Sequence, residues 1–190
     1  SGGQYLYGTT DVTRTISLEI NNPKIKEIFT RVLKGHIAVA SYKLNKGTSG
    51  DKIDIVARKS LRDINLDYPH GTGHGVGSFL NVHEGPQGIS RGNKVKFKEG
   101  MITSNEPGFY KKNHFGIRIE NLVYVKKIKN KLKFVDLTLA PIDKSLIEKK
   151  FLTSSEKYWL NAYHQRVFVN LKQFMNKFEL NQLKKACSNI

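Results

Sequence analysis

The sequence predicts an α+β fold, because segments with the apolar spacing of helices stand between segments with the alternation of strands. Helices are predicted from Asn22 to about Tyr42 and from Thr48 onward, and short strands around Met101–Ser104 and Gly116–Val125. The chain has 190 residues, which is enough for one full domain and a small accessory piece.

The two helices have recognisable start signals. Asn22-Pro23 supplies an N-cap and a first-turn proline, and apolar residues recur at helical spacing over residues 25–33. The second helix opens at residues 48–51 and presents one apolar face that includes Ile53 and Leu61. This second helix is expected to cover a sheet.

Residues 1–16 are predicted to form a pair of strands. Gly8-Thr9-Thr10 has the composition of a turn, and the β-branched run over residues 11–16 favours a strand. Asp11 is therefore expected at the start of a strand.

The character of the sequence changes near Ala140-Pro141. Residues 153–156 have the pattern of a capping box, and an amphipathic helix rich in aromatic residues is predicted to follow. We therefore expect residues 1–140 to form one portion of the protein and residues 141–190 a helical appendage. The aromatic face of residues 158–174 is predicted to be core or a dimer interface.

The net charge of +16 is the one compositional extreme and raises the question of nucleic-acid binding. The lysines occur as scattered pairs, without a basic stripe interleaved with aromatic residues, so a solvated surface is favoured over a nucleic-acid partner. No segment approaches the roughly 18 apolar residues that cross a bilayer, so no membrane partner is expected. Cys187 is the only cysteine, which excludes a cysteine-based zinc site and favours a cytoplasmic location.

Four residues are candidate ligands of a divalent metal: Asp11, His74, Glu106 and Glu120. Oxygen-rich ligands with a single imidazole suit manganese, cobalt, zinc or iron. Glu106 alone would be ambiguous, and the other three each have a structural explanation. Asp11 has the character of a turn or cap residue, His74 that of a hydrogen-bonded loop histidine, and Glu120 that of a cross-strand partner of Arg118.

The local patterns around the two glutamates favour a cleft. Arg118 and Glu120 alternate with two isoleucines, so a strand would direct the polar pair to one face and the isoleucines to the other. Glu106 stands before Pro107-Gly108, where proline ends the strand hydrogen bonding and glycine lets the chain turn. Both carboxylates are therefore expected to point into a polar cleft.

The segment His70–Gly77 is rich in glycine and histidine. His70 and His74 are four residues apart, which on a helix would resemble a zinc-protease pair, but the glycines and Pro69 disfavour a helix. An extended segment whose backbone closely approaches a ligand is expected. A phosphate loop is disfavoured, because the Walker lysine and the glycine spacing of dinucleotide sites are missing.

Five motifs together resemble the pita-bread metallopeptidases of the Xaa-Pro aminopeptidase (aminopeptidase P) type. They are GTTDVTRT at 8–15, VLKGHIAV at 32–39, HGTGHGVGSFLNVHEGP at 70–86, NEPGFY at 105–110 and GIRIEN at 116–121. The resemblance extends over essentially the whole chain. It implies the C-terminal half of a pita-bread fold followed by a mainly helical C-terminal extension.

The resemblance also implies roles for individual residues around two divalent metal ions, with manganese the first choice and zinc or cobalt as alternatives. Asp11 and Glu120 would bridge the ions, and His74 and Glu106 would complete the shell of one ion. Glu106 would also shuttle the proton. The remaining catalytic candidates are His70, His83 and Arg118. The two histidines would contact substrate and stabilise the intermediate, although both could instead be hydrogen-bonded loop residues. Arg118 would orient Glu120 or a neighbouring carboxylate.

The implied activity is that of a metal-dependent aminopeptidase acting on peptides with proline at the second position, as a cytoplasmic homodimer. A prolidase for Xaa-Pro dipeptides and a pita-bread pseudoenzyme that serves as a binding module are the alternatives; a pseudoenzyme would have replaced its ligands. The family's first aspartate is expected immediately upstream of Ser1, so these 190 residues alone are expected to be inactive or weakly active.

Overall fold

The computed structural model describes residues 2–18, 22–79 and 81–190. Its α-helices are α1 (Pro23–Ala40), α2 (Gly50–Arg62), α3 (Ser154–Leu171) and α4 (Lys177–Ala186). Its strands are β1 (Gly2–Tyr5), β2 (Gly8–Asp11), β3 (Lys43–Leu44), β4 (Gly73–His74), β5 (Gly88–Ile89), β6 (Ile102–Asn105), β7 (Gly108–Lys111), β8 (Phe115–Arg118), β9 (Asn121–Ile128) and β10 (Lys131–Asp136). Short 3₁₀ turns cover Lys144–Leu146, Lys149–Phe151 and Lys172–Phe174.

An antiparallel four-stranded sheet with the order β3-β10-β9-β6 forms the centre, and three two-stranded units surround it: β1-β2, β4-β5 and β7-β8. Single bridges tie the segments after β2 and β4 to other parts of the fold. Gly75 pairs with Thr103 in β6, and Thr13 pairs with Glu120 at the junction between β8 and β9. The edge of the sheet at β6 and this junction therefore bring several chain segments together.

Helix α1 begins as the sequence predicts and packs closely on α2. The side chain of Asn22 accepts hydrogen bonds from the backbone of Lys24 and Ile25, which satisfies otherwise unpaired amides of the first turn. A Cβ atom at Gly35 would lie 2.2 Å from the carbonyl oxygen of Ala57. Glycine at this position is what allows the two helix backbones to touch.

Two hydrophobic clusters hold the fold together. The first lies between α1, the β7-β8 unit and the C-terminal helices, and it buries Leu33, Ile117 and Leu160. The second lies against the four-stranded sheet and buries Ile53 and Val123. The C-terminal segment therefore packs on α1 and contributes to the same core.

The capping box predicted at the start of α3 is confirmed, with reciprocal hydrogen bonds between Thr153 and Glu156. Helix α4 begins with a second capping box, formed by Asn176 and Glu179, which the sequence reasoning overlooked although its spacing is the same. Among the described residues, no helix combines the length and apolarity that crossing a membrane requires.

The predicted N-terminal strand pair is present, but the prediction placed its turn at the wrong residues. The register pairs Gly2 with Asp11 and Tyr5 with Gly8, so the loop is Leu6-Tyr7 and Asp11 ends β2. The β-branched run after Asp11 does not continue the hairpin, because it pairs with the chain at Glu120 instead. The predicted strand pair also included Ser1, which lies outside the described residues.

Arg14 joins this N-terminal segment to the C-terminal helices. Its guanidinium donates hydrogen bonds to the carbonyl oxygen of Glu120 at 2.7 Å and to Asn121 Oδ1 at 2.6 Å. It also donates to the hydroxyl of Tyr163 on α3 at 2.9 Å and to the carbonyls of residues 140 and 141. The backbone that carries Glu120 is thereby fixed to α3.

His164 makes the stability of this core dependent on pH. It is fully buried, its Nε2 accepts a hydrogen bond from the Ile142 amide at 3.1 Å, and burial lowers its pKa to about 4. An unfolded chain takes up this proton near pH 6.5. The stabilisation from His164 is therefore fully present above about pH 6.5 and is lost as the pH falls towards 4.

At pH 5 the expected loss from this residue is about 2 kcal/mol relative to pH 7. His164→Gln keeps an acceptor for the Ile142 amide but does not titrate, so it should flatten the decline. Urea midpoints of the full-length protein at pH 7 and pH 5 measure this. A variant with the same pH dependence as wild type would contradict the assignment.

Candidate metal centre

Four candidate ligands arrive at one place from four different chain segments. Asp11 ends β2, His74 lies in β4, Glu106 follows β6, and Glu120 lies between β8 and β9. These segments are joined by the two single bridges of the fold, Thr13 with Glu120 and Gly75 with Thr103. The backbone pairing therefore brings the side chains together.

The donor atoms of these residues converge around the imidazole of His74. Donor atoms of Asp11, His74 and Glu120 all lie within 4.8 Å of one another. The Nε2 atom of His74 lies 3.4 Å from Asp11 Oδ2 and 3.2 Å from Glu106 Oε1. Glu106 is not part of that mutually close set of three, but it contacts the same nitrogen, so three carboxylates lie around His74. A positive charge among them would stabilise such a cluster.

The orientation of the His74 ring suits metal binding. Its Nδ1 lies 3.0 Å from the carbonyl oxygen of Gly75, so Nδ1 carries a proton and donates it there. The lone pair of Nε2 is then directed at the carboxylates. Metal-binding histidines commonly donate their other ring N–H to a carbonyl in this way.

Ser104 holds His74 and Glu106 in a fixed relation. Its hydroxyl accepts a hydrogen bond from the backbone amide of His74 at 2.9 Å and donates one to Glu106 Oε1 at 3.1 Å. The amide of Glu106 donates to the carbonyl oxygen of Thr72 at 2.7 Å. Glu106 is therefore positioned through both its side chain and its backbone.

Glu120 is a buried carboxylate, 1% exposed. Its Oε2 accepts a hydrogen bond from the hydroxyl of Thr13 at 2.5 Å. Burial raises the pKa of Glu120, and the nearby carboxylates of Glu106 and Asp11 raise it further, against the opposing effect of the Thr13 hydrogen bond. Thr13 was not recognised in the sequence, because its contact with Glu120 spans 107 positions.

His74 and Glu106 shift each other's pKa in opposite directions. Burial lowers the pKa of His74, but the hydrogen bond to Glu106 and the surrounding carboxylates outweigh it, and the net shift is upward. Burial raises the pKa of Glu106, but the hydrogen bond with His74 and the charges of His74 and Arg118 make the net shift downward. The carboxylates around His74 thus favour a positive charge at this point, and a divalent cation would supply it, since the donor set is oxygen-rich with one imidazole.

Arg118 lies next to Glu106. Its Nη1 is 3.7 Å from Glu106 Oε2, and its Nε donates a hydrogen bond to the hydroxyl of Tyr110 at 2.7 Å. The family resemblance implies that Arg118 orients Glu120 or a neighbouring carboxylate, and the carboxylate with which it forms an ion pair is Glu106.

His70 connects to the centre through Tyr110. Its Nδ1 donates to the carbonyl oxygen of Gly71 at 2.7 Å, and its Nε2 accepts from the Tyr110 hydroxyl at 2.8 Å. Hydrogen bonds from Tyr110 to His70 and from Arg118 to Tyr110, with the ion pair of Arg118 and Glu106, connect His70 to the centre. Sequence reasoning missed Tyr110, although strand alternation places it opposite the buried Phe109.

His83 lies directly against His74. The two ring centroids are 4.1 Å apart, and His83 is exposed. Every sequence-predicted site residue therefore lies near the centre. Arg118 contacts Glu106 and His83 contacts His74, whereas His70 reaches Arg118 through Tyr110. That these residues bind metal and act in catalysis stays a prediction.

Comparison with known families assigns the chain in two parts. The model of metallopeptidase family M24 matches residues 1–127, and the model of the C-terminal region of peptidase M24 matches residues 130–190.

Two curated relatives illustrate the similarity. A probable Xaa-Pro aminopeptidase P of Fusarium vanettenii is 51% identical over 180 residues, which cover 88% of this chain and 29% of that protein. Aminopeptidase P2 of Arabidopsis thaliana is 48% identical over 185 residues, 92% of this chain and 26% of that protein. The chain thus spans less than a third of the length of either relative.

Solved structures give the same picture. The X-prolyl aminopeptidase of Caenorhabditis elegans, described as a cytosolic enzyme with a di-nuclear active site, is 40% identical with a TM-score of 0.92. The match covers 100% of this chain and 32% of that one. Prolidase from Pyrococcus furiosus is 31% identical with a TM-score of 0.61 over 70% of this chain and 38% of that one. The predicted α+β, pita-bread fold with a helical C-terminal region is thereby confirmed.

Proposed function

This chain belongs to metallopeptidase family M24, and we propose that it forms the metal-binding part of a full-length aminopeptidase that releases the N-terminal residue from peptides with proline at the second position. The observation that carries the proposal is the convergence of one imidazole nitrogen and the carboxylates of three acidic residues around His74. The relatives called Xaa-Pro aminopeptidase P supply the substrate class.

Asp11, His74, Glu106 and Glu120 would hold divalent metal in this proposal. We infer two ions in the full-length enzyme, as in the C. elegans relative, with manganese preferred over zinc or cobalt for an oxygen-rich ligand set. Bound divalent ions supply a hydroxide nucleophile near neutral pH and polarise the scissile carbonyl. Retention of four donor groups favours an enzyme over a metal-free binding module.

Glu106 would move the proton. Its Oε1 faces His74 and Ser104, and its Oε2 faces Arg118, so it is ionised and fixed in place. It would take up a proton from the attacking water and pass it to the leaving amine as the peptide C–N bond breaks. His83, exposed beside His74, and His70, behind Tyr110, would contact the substrate and stabilise charge on the intermediate.

The proposal has three further parts: a division into portions 1–140 and 141–190, a homodimer, and a cytoplasmic location. Exposed apolar side chains on the C-terminal segment support a dimer contact there: Val169, Phe174 and Phe178. The cytosolic description of the C. elegans relative supports the location.

The test is hydrolysis by the full-length protein of three matched substrates: an Xaa-Pro-Xaa peptide, the Xaa-Pro dipeptide and an Xaa-Ala-Xaa peptide. We expect cleavage of the first only, lost after chelation and restored by manganese. Activity confined to the dipeptide would replace the proposal by a prolidase, and absence of hydrolysis and of manganese binding would favour a binding module.

A further inference from the structure

A buried arginine outside the metal centre contacts the segment that carries His70. Arg58 lies on α2, is 6% exposed, and stacks its guanidinium over the ring of Tyr68 at 3.9 Å from the ring centroid. The segment from Tyr68 to Thr72 has no strand or helix pairing of its own. Its geometry therefore depends on hydrogen bonds from neighbouring elements.

Arg58 supplies hydrogen bonds of this kind with its fork of N–H groups. It donates to the carbonyl oxygen of Tyr68 at 2.8 Å through Nη1 and to that of His70 at 2.5 Å through Nη2. Its other donors engage Asp67 at 2.7 Å and Asp54 at 2.8 Å. A single planar group thus holds the carbonyls on both sides of Pro69.

The same cluster continues to Glu106. The hydroxyl of Thr72 donates to Asp54 Oδ1 at 2.6 Å and lies 2.5 Å from the hydroxyl of Tyr68. The carbonyl of Thr72 in turn accepts the amide of Glu106. Asp54 and Arg58, one turn apart on α2, therefore fix both ends of the segment.

We propose that Arg58 is a positioning residue for the reaction, which holds the segment 68–72 so that the His70 ring meets Tyr110. The proposal rests on the proposed function. Without the fork, the buried carbonyl of Tyr68 and the partly buried carbonyl of His70 lose their donors. The chain at Pro69-Gly71 then becomes free to turn the His70 ring away. Arg58 touches none of the four candidate metal ligands and reaches Glu106 only through Asp54 and Thr72, so its effect should fall on turnover more than on metal content.

Two conservative variants of the full-length protein separate positioning from simple stabilisation. Arg58→Lys keeps the charge but replaces the planar fork by one ammonium, which cannot reproduce the paired contacts. Arg62→Lys is the matched control, because Arg62 also pairs with Asp67 at 2.9 Å but makes no contact with the 68 or 70 carbonyls. Both variants change one arginine of the same helix.

We expect Arg58→Lys to lower kcat by about 10- to 100-fold, as misplaced catalytic groups do, with KM and metal content within about twofold of wild type. Arg62→Lys should leave kcat within about twofold. Combined with His70→Ala, Arg58→Lys should add little further loss, because the two changes act on one element. A loss of equal size in the His70→Ala background, or no loss in kcat, would overturn the proposal.

Hydrogen exchange separates failure of this inference from failure of the proposed function. Amides of residues 68–75 should exchange faster in Arg58→Lys than in wild type or Arg62→Lys, whether or not the protein hydrolyses peptides. If wild type does not hydrolyse Xaa-Pro peptides, the proposed function is wrong. Unchanged hydrogen exchange in Arg58→Lys would overturn the positioning role, whether or not wild type is active.

Discussion

Replacing Glu120 by glutamine is expected to lower kcat/KM for an Xaa-Pro peptide by at least about a thousandfold, because it removes a charged donor from the centre that would activate water. The thermal stability of the metal-free protein should not fall. This opposite behaviour of activity and stability follows from the environment of the side chain.

Glu120 is buried beside two other carboxylates, and its raised pKa reports the cost of keeping its charge without a cation. Glutamine has nearly the same shape, and its amide oxygen can accept the hydrogen bond from Thr13. The substitution thus removes a like-charge repulsion and keeps the local packing. Functional sites commonly carry such a cost in stability.

The measurements are kcat/KM and melting temperature of the full-length protein, with and without manganese. Manganese should raise the melting temperature of wild type and not that of Glu120→Gln. Glu99→Gln is the matched control, since Glu99 is exposed in the turn before β6 and should respond to manganese as wild type does. Activity retained in Glu120→Gln would exclude Glu120 as a metal ligand.

Replacing Gly73 by alanine is expected to cost about 3 kcal/mol of unfolding free energy and most of the activity. A Cβ atom at this position would lie 2.0 Å from the backbone carbonyl oxygen of Ser104. Backbone cannot give way as a flexible side chain does, so β4 must move away from β6. His74 would move with it and lose the Ser104 hydroxyl that orders it relative to Glu106.

Gly8→Ala provides the control, because a Cβ atom at Gly8 meets nothing within 4 Å. Urea unfolding and manganese content of the full-length protein should change strongly in Gly73→Ala and little in Gly8→Ala. A Gly73→Ala protein of wild-type stability and manganese content would show that close contact between these strands is unnecessary.

The parts of the fold that could be predicted have local causes. The start of α1 follows from Asn22-Pro23, and the start of α3 from the capping box at Thr153, since a cap depends on residues within one turn. The candidate ligands were recognised because each lies in a short motif, and His74 and Glu106 also have glycine or proline beside them. Their convergence is a property of strand pairing, which only a whole-chain resemblance could anticipate.

The parts that could not be predicted depend on contacts between distant residues. The turn at Leu6-Tyr7 has no turn composition, and it is set by the register of β1 with β2. Thr13 and Arg14 look like ordinary strand residues, although they bind Glu120 and its backbone from 106 or 107 positions away. In the sequence Arg58 looks like an ordinary polar residue of an amphipathic helix. Its contacts become visible only in the structure, where it is buried against Tyr68.

In the proposed enzyme Asp11, His74, Glu106 and Glu120 bind metal together. The most direct measurement is anomalous diffraction from crystals of the full-length protein grown with manganese. The predicted result is an anomalous peak bounded by all four side chains, with donor atoms at about 2.0–2.3 Å from the ion. A manganese-saturated crystal in which these four side chains surround no anomalous peak would contradict the claim.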